Sequence, residues 1–151
     1  MNVNDVTDQI LGAAVAIHTE LGPGLLESVY EALLARALEL RGLRCRRQQA
    51  VKLEYAGVSF DEAFRADLIV EDLVIVEIKS VVRLEPVFAR QLLTYLRLTG
   101  KEVGLLINFG GHSLAGQTKR VVNNHKESVR VQFPSGQRSQ PEDFRASAPS
   151  A

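Results

Sequence analysis

The sequence predicts a single α/β domain, and three observations indicate that fold class. Two stretches near the start have the apolar spacing of amphipathic helices. Two later aliphatic runs have the length and composition of strands, and a further helix and strand follow them. Nearly continuous aliphatic runs are typical of strands covered on both faces. We therefore expect a sheet with helices packed against it.

The first two predicted helices open the domain. Apolar residues recur at helical spacing over 6–21, and Asn4 or Asp5 can cap the start of this helix. A Gly-Pro-Gly break at 22–24 separates it from a second helix over 26–40.

The middle of the chain has the pattern of strands. Residues 50–55 alternate, Ala56-Gly57 can form a turn, and 58–60 can continue as the partner strand. The aliphatic runs 68–70 and 73–78 are expected at the centre of the sheet.

The rest of the predicted domain consists of a helix over 86–98, which Pro86 can start, and a buried strand over 103–108. From residue 134 onward, Ser, Gln, Pro and charged residues replace the apolar periodicity. We therefore predict a domain over 1–133 and a disordered tail over 134–151.

Composition restricts the possible classes of function. The 151 residues are 46% apolar, which suits one domain with a sizeable core. No apolar run approaches a membrane span and the acidic start lacks signal-peptide features, so a cytoplasmic protein without a membrane partner is expected. A single Cys45 excludes an internal disulfide, and three scattered His residues argue against a zinc cluster. Any metal would therefore be bound by oxygen.

Charge gives no global argument for nucleic-acid binding, because 18 basic and 18 acidic residues cancel. Basic residues cluster locally at 41–47 and 119–126. The favoured interpretation of both clusters is a solvated surface rather than a phosphate site.

The main candidate site consists of Asp67, Glu77 and Lys79. Charged residues at the ends of apolar strands need a partner or a metal, because burial of an unpaired charge is unfavourable. Asp67 and Glu77 are hard oxygen donors suited to Mg²⁺ or Mn²⁺, and the carbonyl of Ile78 is another candidate ligand. Lys79 shares a strand face with Glu77 and can orient a water or stabilise transition-state charge.

This site depends on the register of one hairpin. If Asp67 lies opposite Glu77, then Val70 lies opposite Val74 and residues 71–73 connect the strands. A two-residue loop would turn the Asp67 carboxylate to the other face, so we predict an odd-length loop or a bulge.

These residues together favour in-line hydrolysis of a phosphodiester. On Asp67, Glu77 and Lys79 alone, an ordinary strand-end salt bridge of Asp67 with Arg65 or Lys79 is an equally good interpretation.

Two helical pairs are further candidates. Glu27 can add a third carboxylate, with Tyr30 on the same helix face, although a first-turn acid and a core tyrosine are the simpler interpretation. Gln91 and Tyr95 lie one turn apart and can hold a phosphate or water. Alone, they are more typical of a helix-surface hydrogen bond.

Taken together, these motifs resemble the GxxExxY family, which is placed in the PD-(D/E)XK nuclease-like superfamily. The resemblance covers about residues 10–122. Its motifs are Gly24-x-x-Glu27-x-x-Tyr30, Arg65-Ala66-Asp67, Glu77-Ile78-Lys79, Gln91-x-x-x-Tyr95 and the stretch 104–110.

The resemblance implies a restriction-endonuclease-like core with a central mixed β-sheet flanked by helices and two N-terminal helices. The implied catalytic residues are Asp67, Glu77, Lys79, Glu27 and Gln91. The implied metal ligands are Asp67, Glu77, Ile78 and Glu27, and the implied substrate contacts are Tyr30, Tyr95 and Arg65. Phe88 stands where similar sequences often carry a histidine, and Ala66 replaces the proline of the superfamily's name.

We therefore expect a Mg²⁺- or Mn²⁺-dependent nuclease acting on DNA. The alternatives are a non-catalytic module that binds nucleic acid or protein, and an oligomer in which the three charges form only a buried ion network. Because no recognition module is evident, specificity must come from the domain's own surface, a homodimer or a partner protein.

Overall fold

The computed structural model describes residues 1–124, which form a sheet with helices on both faces. The elements in chain order are α1 (Val3–Leu21), α2 (Glu27–Leu40), β1 (Cys45–Tyr55), β2 (Val58–Val70), β3 (Val74–Lys79), α3 (Pro86–Thr99), β4 (Val103–Asn108) and β5 (Thr118–Val122). The tail predicted over 134–151 and the end of the second basic cluster lie outside the described residues. Among residues 1–124, no helix combines the length and apolar composition that a membrane crossing requires.

The sheet is mixed, and its five strands lie side by side in chain order. Neighbouring strands are antiparallel except for β3 and β4, which are parallel. A parallel pair needs a crossover connection, and α3 supplies it. The predicted mixed sheet, flanked by helices and preceded by two helices, is therefore confirmed.

Two apolar clusters hold the layers together. The first joins α1 and α2 to one face of the sheet through side chains such as Ile10, Leu34 and Val76. The second joins α3 to the opposite face, where Leu92 packs with Ile75. The strands β3 and β4 are consequently covered on both faces, as their aliphatic composition predicted.

The start of α1 differs from the prediction. Asn2 caps the helix, and its side chain accepts a hydrogen bond from the Asp5 N–H at 2.9 Å. The Asp5 carboxylate accepts in turn from the Asn2 N–H, which completes a capping box. The helix therefore starts at Val3, and the caps predicted at Asn4 or Asp5 were wrong.

The strands are also longer than predicted. β1 starts at Cys45 rather than at residue 50, and the segments 58–60 and 68–70 belong to one strand, β2. These two strands pair as a long hairpin through the predicted Ala56-Gly57 turn. β5 was not predicted, because three of its five residues are exposed.

The turn between β2 and β3 confirms the predicted register. Val70 lies opposite Val74, so residues 71–73 form the three-residue connection. The same register, continued away from the turn, sets Asp67 opposite Glu77.

Candidate active site

Strands β2 and β3 stop pairing through their backbones where they reach the acidic residues. Their paired residues end at Leu68 and Val76. Beyond that point, hydrogen bonds to side chains replace the backbone pairing. The Ile78 N–H donates to Asp67 Oδ2 at 2.8 Å, and the Asp67 N–H donates to Glu77 Oε1 at 3.3 Å. This exchange holds the two carboxylates together at the open end of the hairpin.

Burial and mutual repulsion raise the pKa of both carboxyl groups. Glu77 is 9% exposed, and its burial together with the charge of Asp67 raises its pKa to about 8. Burial also raises the pKa of Asp67, although the hydrogen bond from Ile78 opposes that shift. Two close acids with raised pKa values are unfavourable when both are ionised, and a cation would relieve this.

Lys79 lies on the side of the sheet that faces α3. Its Nζ is 4.6 Å from the centre of the Phe88 ring. That distance allows a cation–π interaction, which holds the ammonium group near the acidic pair. Phe88 thus has a role in placing Lys79.

The helix α3 contributes Tyr95 and Gln91. Burial, and then the charges of Glu77 and Asp67, raise the pKa of Tyr95, so this side chain lies within electrostatic reach of the acidic pair. The Tyr95 ring stacks on Phe64 with the ring centres 3.8 Å apart. Gln91 is exposed one turn earlier on the same helix face.

Glu27 lies at the start of α2, close to the end of β3. Its Oε1 accepts a hydrogen bond from the Ser80 N–H at 3.2 Å. Within residues 1–124, however, no three acidic, His or Cys side chains are grouped closely enough to hold a metal ion. Glu27 therefore lies at the end of β3 and does not form one cluster with the acidic pair.

Tyr30 is fully buried, and its ring stacks on Phe109 with the centres 4.4 Å apart. Its hydroxyl donates to the Gly22 carbonyl at 2.6 Å and accepts from the Leu25 N–H at 3.2 Å. Tyr30 thus fixes the turn that leads into Glu27. Direct contact between Tyr30 and a substrate has no support in this geometry.

Arg65 is exposed and forms an ion pair with Glu62. The alternative in which Arg65 neutralises Asp67 is therefore not seen. Its guanidinium stays at the surface of β2, two residues before Asp67.

Sequence reasoning missed two residues next to Asp67. Glu31 is buried on α2, one helical turn after Glu27, and it accepts hydrogen bonds from Arg47 and Gln48. The Nε2 atom of Gln48 also lies 3.4 Å from Asp67 Oδ1. The spacing from Glu27 was the only sequence signal for Glu31, and it resembles that of any helix-surface acid.

Asn108 fixes the segment that follows Lys79. Its fully buried side chain accepts hydrogen bonds from the N–H groups of Val81 and Gly110, both at 3.0 Å. It donates to the Val81 carbonyl at 2.9 Å and to Gln117 Oε1 at 2.8 Å. A Cβ on Gly110 would lie 2.3 Å from the Val81 carbonyl oxygen, so this close approach requires glycine.

The acidic pair fits a hard divalent cation. Mg²⁺ is commonly held by one or two carboxylates, with water and substrate phosphate oxygens completing its shell. Asp67 and Glu77 supply two such groups, and both have pKa values that a neighbouring cation would lower.

A mixed sheet with helices on both faces, and an acidic pair followed by a lysine at its strand ends, defines a nuclease-like class of α/β domain. The family model of the PD-(D/E)XK nuclease superfamily matches residues 4–121. This match covers most of the chain, which therefore belongs to that superfamily. Comparison with curated proteins and with solved structures gave no match.

Proposed function

We propose that the protein is a nuclease of the GxxExxY family that uses Mg²⁺ or Mn²⁺ to hydrolyse phosphodiester bonds in DNA. The observation that carries the proposal is the acidic pair of Asp67 and Glu77, with Lys79 two residues after Glu77. Perturbed, buried acids beside a lysine are typical of catalytic sites. Membership of the superfamily supports the same chemistry.

In this proposal Asp67 and Glu77 hold the metal ion, with the Ile78 carbonyl and Glu27 as additional ligands. The bound ion supplies charge neutralisation at the phosphoryl oxygens and makes water more acidic. Lys79, held over Phe88, stabilises the negative charge that develops on the phosphoryl group.

The remaining site residues act on the substrate. Gln91 and Tyr95 hold a phosphate or the attacking water from the α3 side. Arg65 contacts the sugar–phosphate backbone of the DNA. Water attacks phosphorus in line with the leaving oxygen, the phosphorus–oxygen bond to that oxygen breaks, and one fragment keeps the phosphate while the other gains a hydroxyl.

The test is cleavage of labelled single-stranded, duplex and branched DNA, and of RNA, by the full chain with Mg²⁺, Mn²⁺ or EDTA. We expect metal-dependent cleavage of DNA by the wild type and none by Glu77→Ala or Lys79→Ala. The matched controls are Glu20→Ala and Lys52→Ala, which change exposed residues of the same types and should cut like the wild type. Undiminished cutting by Glu77→Ala would contradict the proposal.

A non-catalytic binding module is the second candidate. One observation favours it: within the described residues, Glu27 does not complete a three-acid cluster. Electrophoretic mobility shifts in EDTA that persist in Glu77→Ala and Lys79→Ala, without cleavage of any substrate, would favour binding over hydrolysis.

A further inference from the structure

A strained glutamine lies beside Asp67 and is not used by the proposed chemistry. Gln48 has a φ of +50°, in the left-handed region that residues other than glycine seldom adopt. Such conformations persist where the surroundings enforce them, and they cluster at functional sites.

One interruption of the β1–β2 pairing falls at Gln48 and the residue it faces. The residues immediately on either side pair in the same register, with Arg47 opposite Leu68 and Gln49 opposite Ala66. The Gln48 and Asp67 positions between them are not paired, and a separate register shift lies further along β1, between Val51 and Leu53. The break in the β1–β2 pairing at Gln48 therefore falls at Asp67, the acid to which we assign metal binding.

The interruption also changes which face of the sheet the β2 side chains use. Phe64 and Ala66 pack in the α3 cluster, whereas Leu68 and Val70 pack in the cluster of α1 and α2. Uninterrupted alternation would place all four side chains on one face. Asp67 lies at the switch between the two faces, where neither helix layer covers it completely.

The amide of Gln48 has a defined orientation. Its Nε2 donates to Glu31 Oε1 and lies 3.4 Å from Asp67 Oδ1. The NH₂ end of the amide therefore faces both acids, whose carboxyl oxygens accept hydrogen bonds. Glu31 is itself fixed, since it is 3% exposed and Arg47 Nη2 donates to its other oxygen at 3.0 Å.

We infer that Gln48 is a positioning residue, whose amide is anchored by Glu31 and holds Asp67 in the orientation that binds the metal. This inference rests on the metal site of the proposed function. A neutral donor suits the task, because a cationic side chain at the same place would repel the metal ion. Hydrogen-bond partners of metal ligands typically contribute about 10- to 100-fold to metal affinity.

The experiment combines Mn²⁺ titration of the full chain, followed by the electron paramagnetic resonance signal of free Mn²⁺, with thermal unfolding. Gln48→Gly removes the amide and relieves the strained φ, and Gln48→Asn keeps a shorter amide in a residue that tolerates this φ. Both variants should be at least as thermally stable as the wild type. Mn²⁺ binding should be about tenfold weaker in Gln48→Gly and weakened less in Gln48→Asn.

Ala56→Gly is the matched control. Ala56 has a φ of +52° at the far end of the β1–β2 hairpin, so glycine relieves the same kind of strain away from the acids. This variant should gain thermal stability and keep the Mn²⁺ affinity of the wild type.

Weaker Mn²⁺ binding without loss of thermal stability supports the inference, because a merely structural role would lower both. Unchanged Mn²⁺ affinity in Gln48→Gly overturns it, as does a wild type that binds no Mn²⁺. If Gln48→Gly is less thermally stable than the wild type, the inference is judged from the Mn²⁺ affinity and thermal stability of Gln48→Asn by the same criterion. A wild type that binds Mn²⁺ tightly but cuts no nucleic acid rejects the proposed function alone.

Discussion

The two ends of the β2–β3 hairpin each carry two acidic residues in opposite electrostatic surroundings. At the turn, Glu71 pairs with Arg44, and Asp72 pairs with Arg46 and Lys101. The hydrogen bond from Lys101 is the largest of the effects that lower the pKa of Asp72. Both acids are paired with cations, and they lie in a turn in which Glu71 and Asp72 both have positive φ.

At the open end, Asp67 and Glu77 face each other, and neither forms a salt bridge with any described residue. Their pKa values are raised rather than lowered. The chain therefore pairs its acids with cations at the turn, whereas at the open end Lys79 lies near the two acids without forming a salt bridge to either. Within the described residues, the absence of a salt bridge distinguishes the candidate site from the turn more clearly than the presence of acids does.

The largest expected difference between the two ends is in cleavage. If the proposed function holds, Asp67→Asn should lower the rate of metal-dependent DNA cleavage by about 10²–10³-fold or more, because it would remove a ligand of the proposed metal ion. Asp72→Asn makes the same chemical change at the turn and should leave the rate unchanged. Initial cleavage rates at saturating Mg²⁺ measure the effect of each variant. Equal losses of rate in the two variants would contradict the expected difference between the two ends of the hairpin.

The second difference is in the pH dependence of folding without metal. The pKa of Glu77 is raised from 4.5 to about 8, so the folded state retains a proton that the unfolded state releases. The resulting stability is fully present below about pH 4.5 and is lost as pH rises to about 8, at about 1.4 kcal/mol per pKa unit.

Glu77→Gln should remove most of this decline and should be more stable than the wild type at the alkaline end, where Glu77 is ionised. Urea unfolding of both proteins in EDTA across that pH range measures their free energies of unfolding and tests both expectations. A large loss of stability in Glu77→Gln would instead favour the buried ion network, in which removing one charge leaves its partner unpaired.

The smallest expected effect is in salt dependence. Asp72 is 67% exposed, so Asp72→Asn should lower the free energy of unfolding by less than about 1 kcal/mol at low salt. In about 1 M NaCl the Debye length is about 3 Å and that loss should disappear. The effect of Glu77→Gln should persist, because salt screens buried charges much less. Denaturant titrations at two salt concentrations would show whether the two ends differ in this way.

The sequence predicted the register of the β2–β3 hairpin from two constraints. The aliphatic runs mark its strands, and the Asp67 carboxylate must lie on the same face as Glu77. An odd-length loop or a bulge was predicted to set Asp67 opposite Glu77, and the structure has a three-residue connection. The buried composition of β3 also predicted its place at the centre of the sheet, where it pairs with β2 and β4.

The sequence did not predict the surroundings of Asp67. Arg46, Arg47 and Gln48 have no apolar alternation, so the start of β1 could not be recognised as a strand. The contact between Glu31 and Gln48 depends on where β1 passes α2, and local patterns carry no information about that crossing. A positive φ at a glutamine likewise has no sequence signature.

Asn108 limits how the segment after the acidic site can evolve. Its amide uses both donors and both acceptor positions in a space with no exposed surface. Aspartate would lose two donors, leucine would leave two backbone groups of Val81 unpaired, and glutamine would need room for another methylene. Asn108 should therefore be among the least replaceable residues of the chain, although it is uncharged and we assign it no contact with substrate.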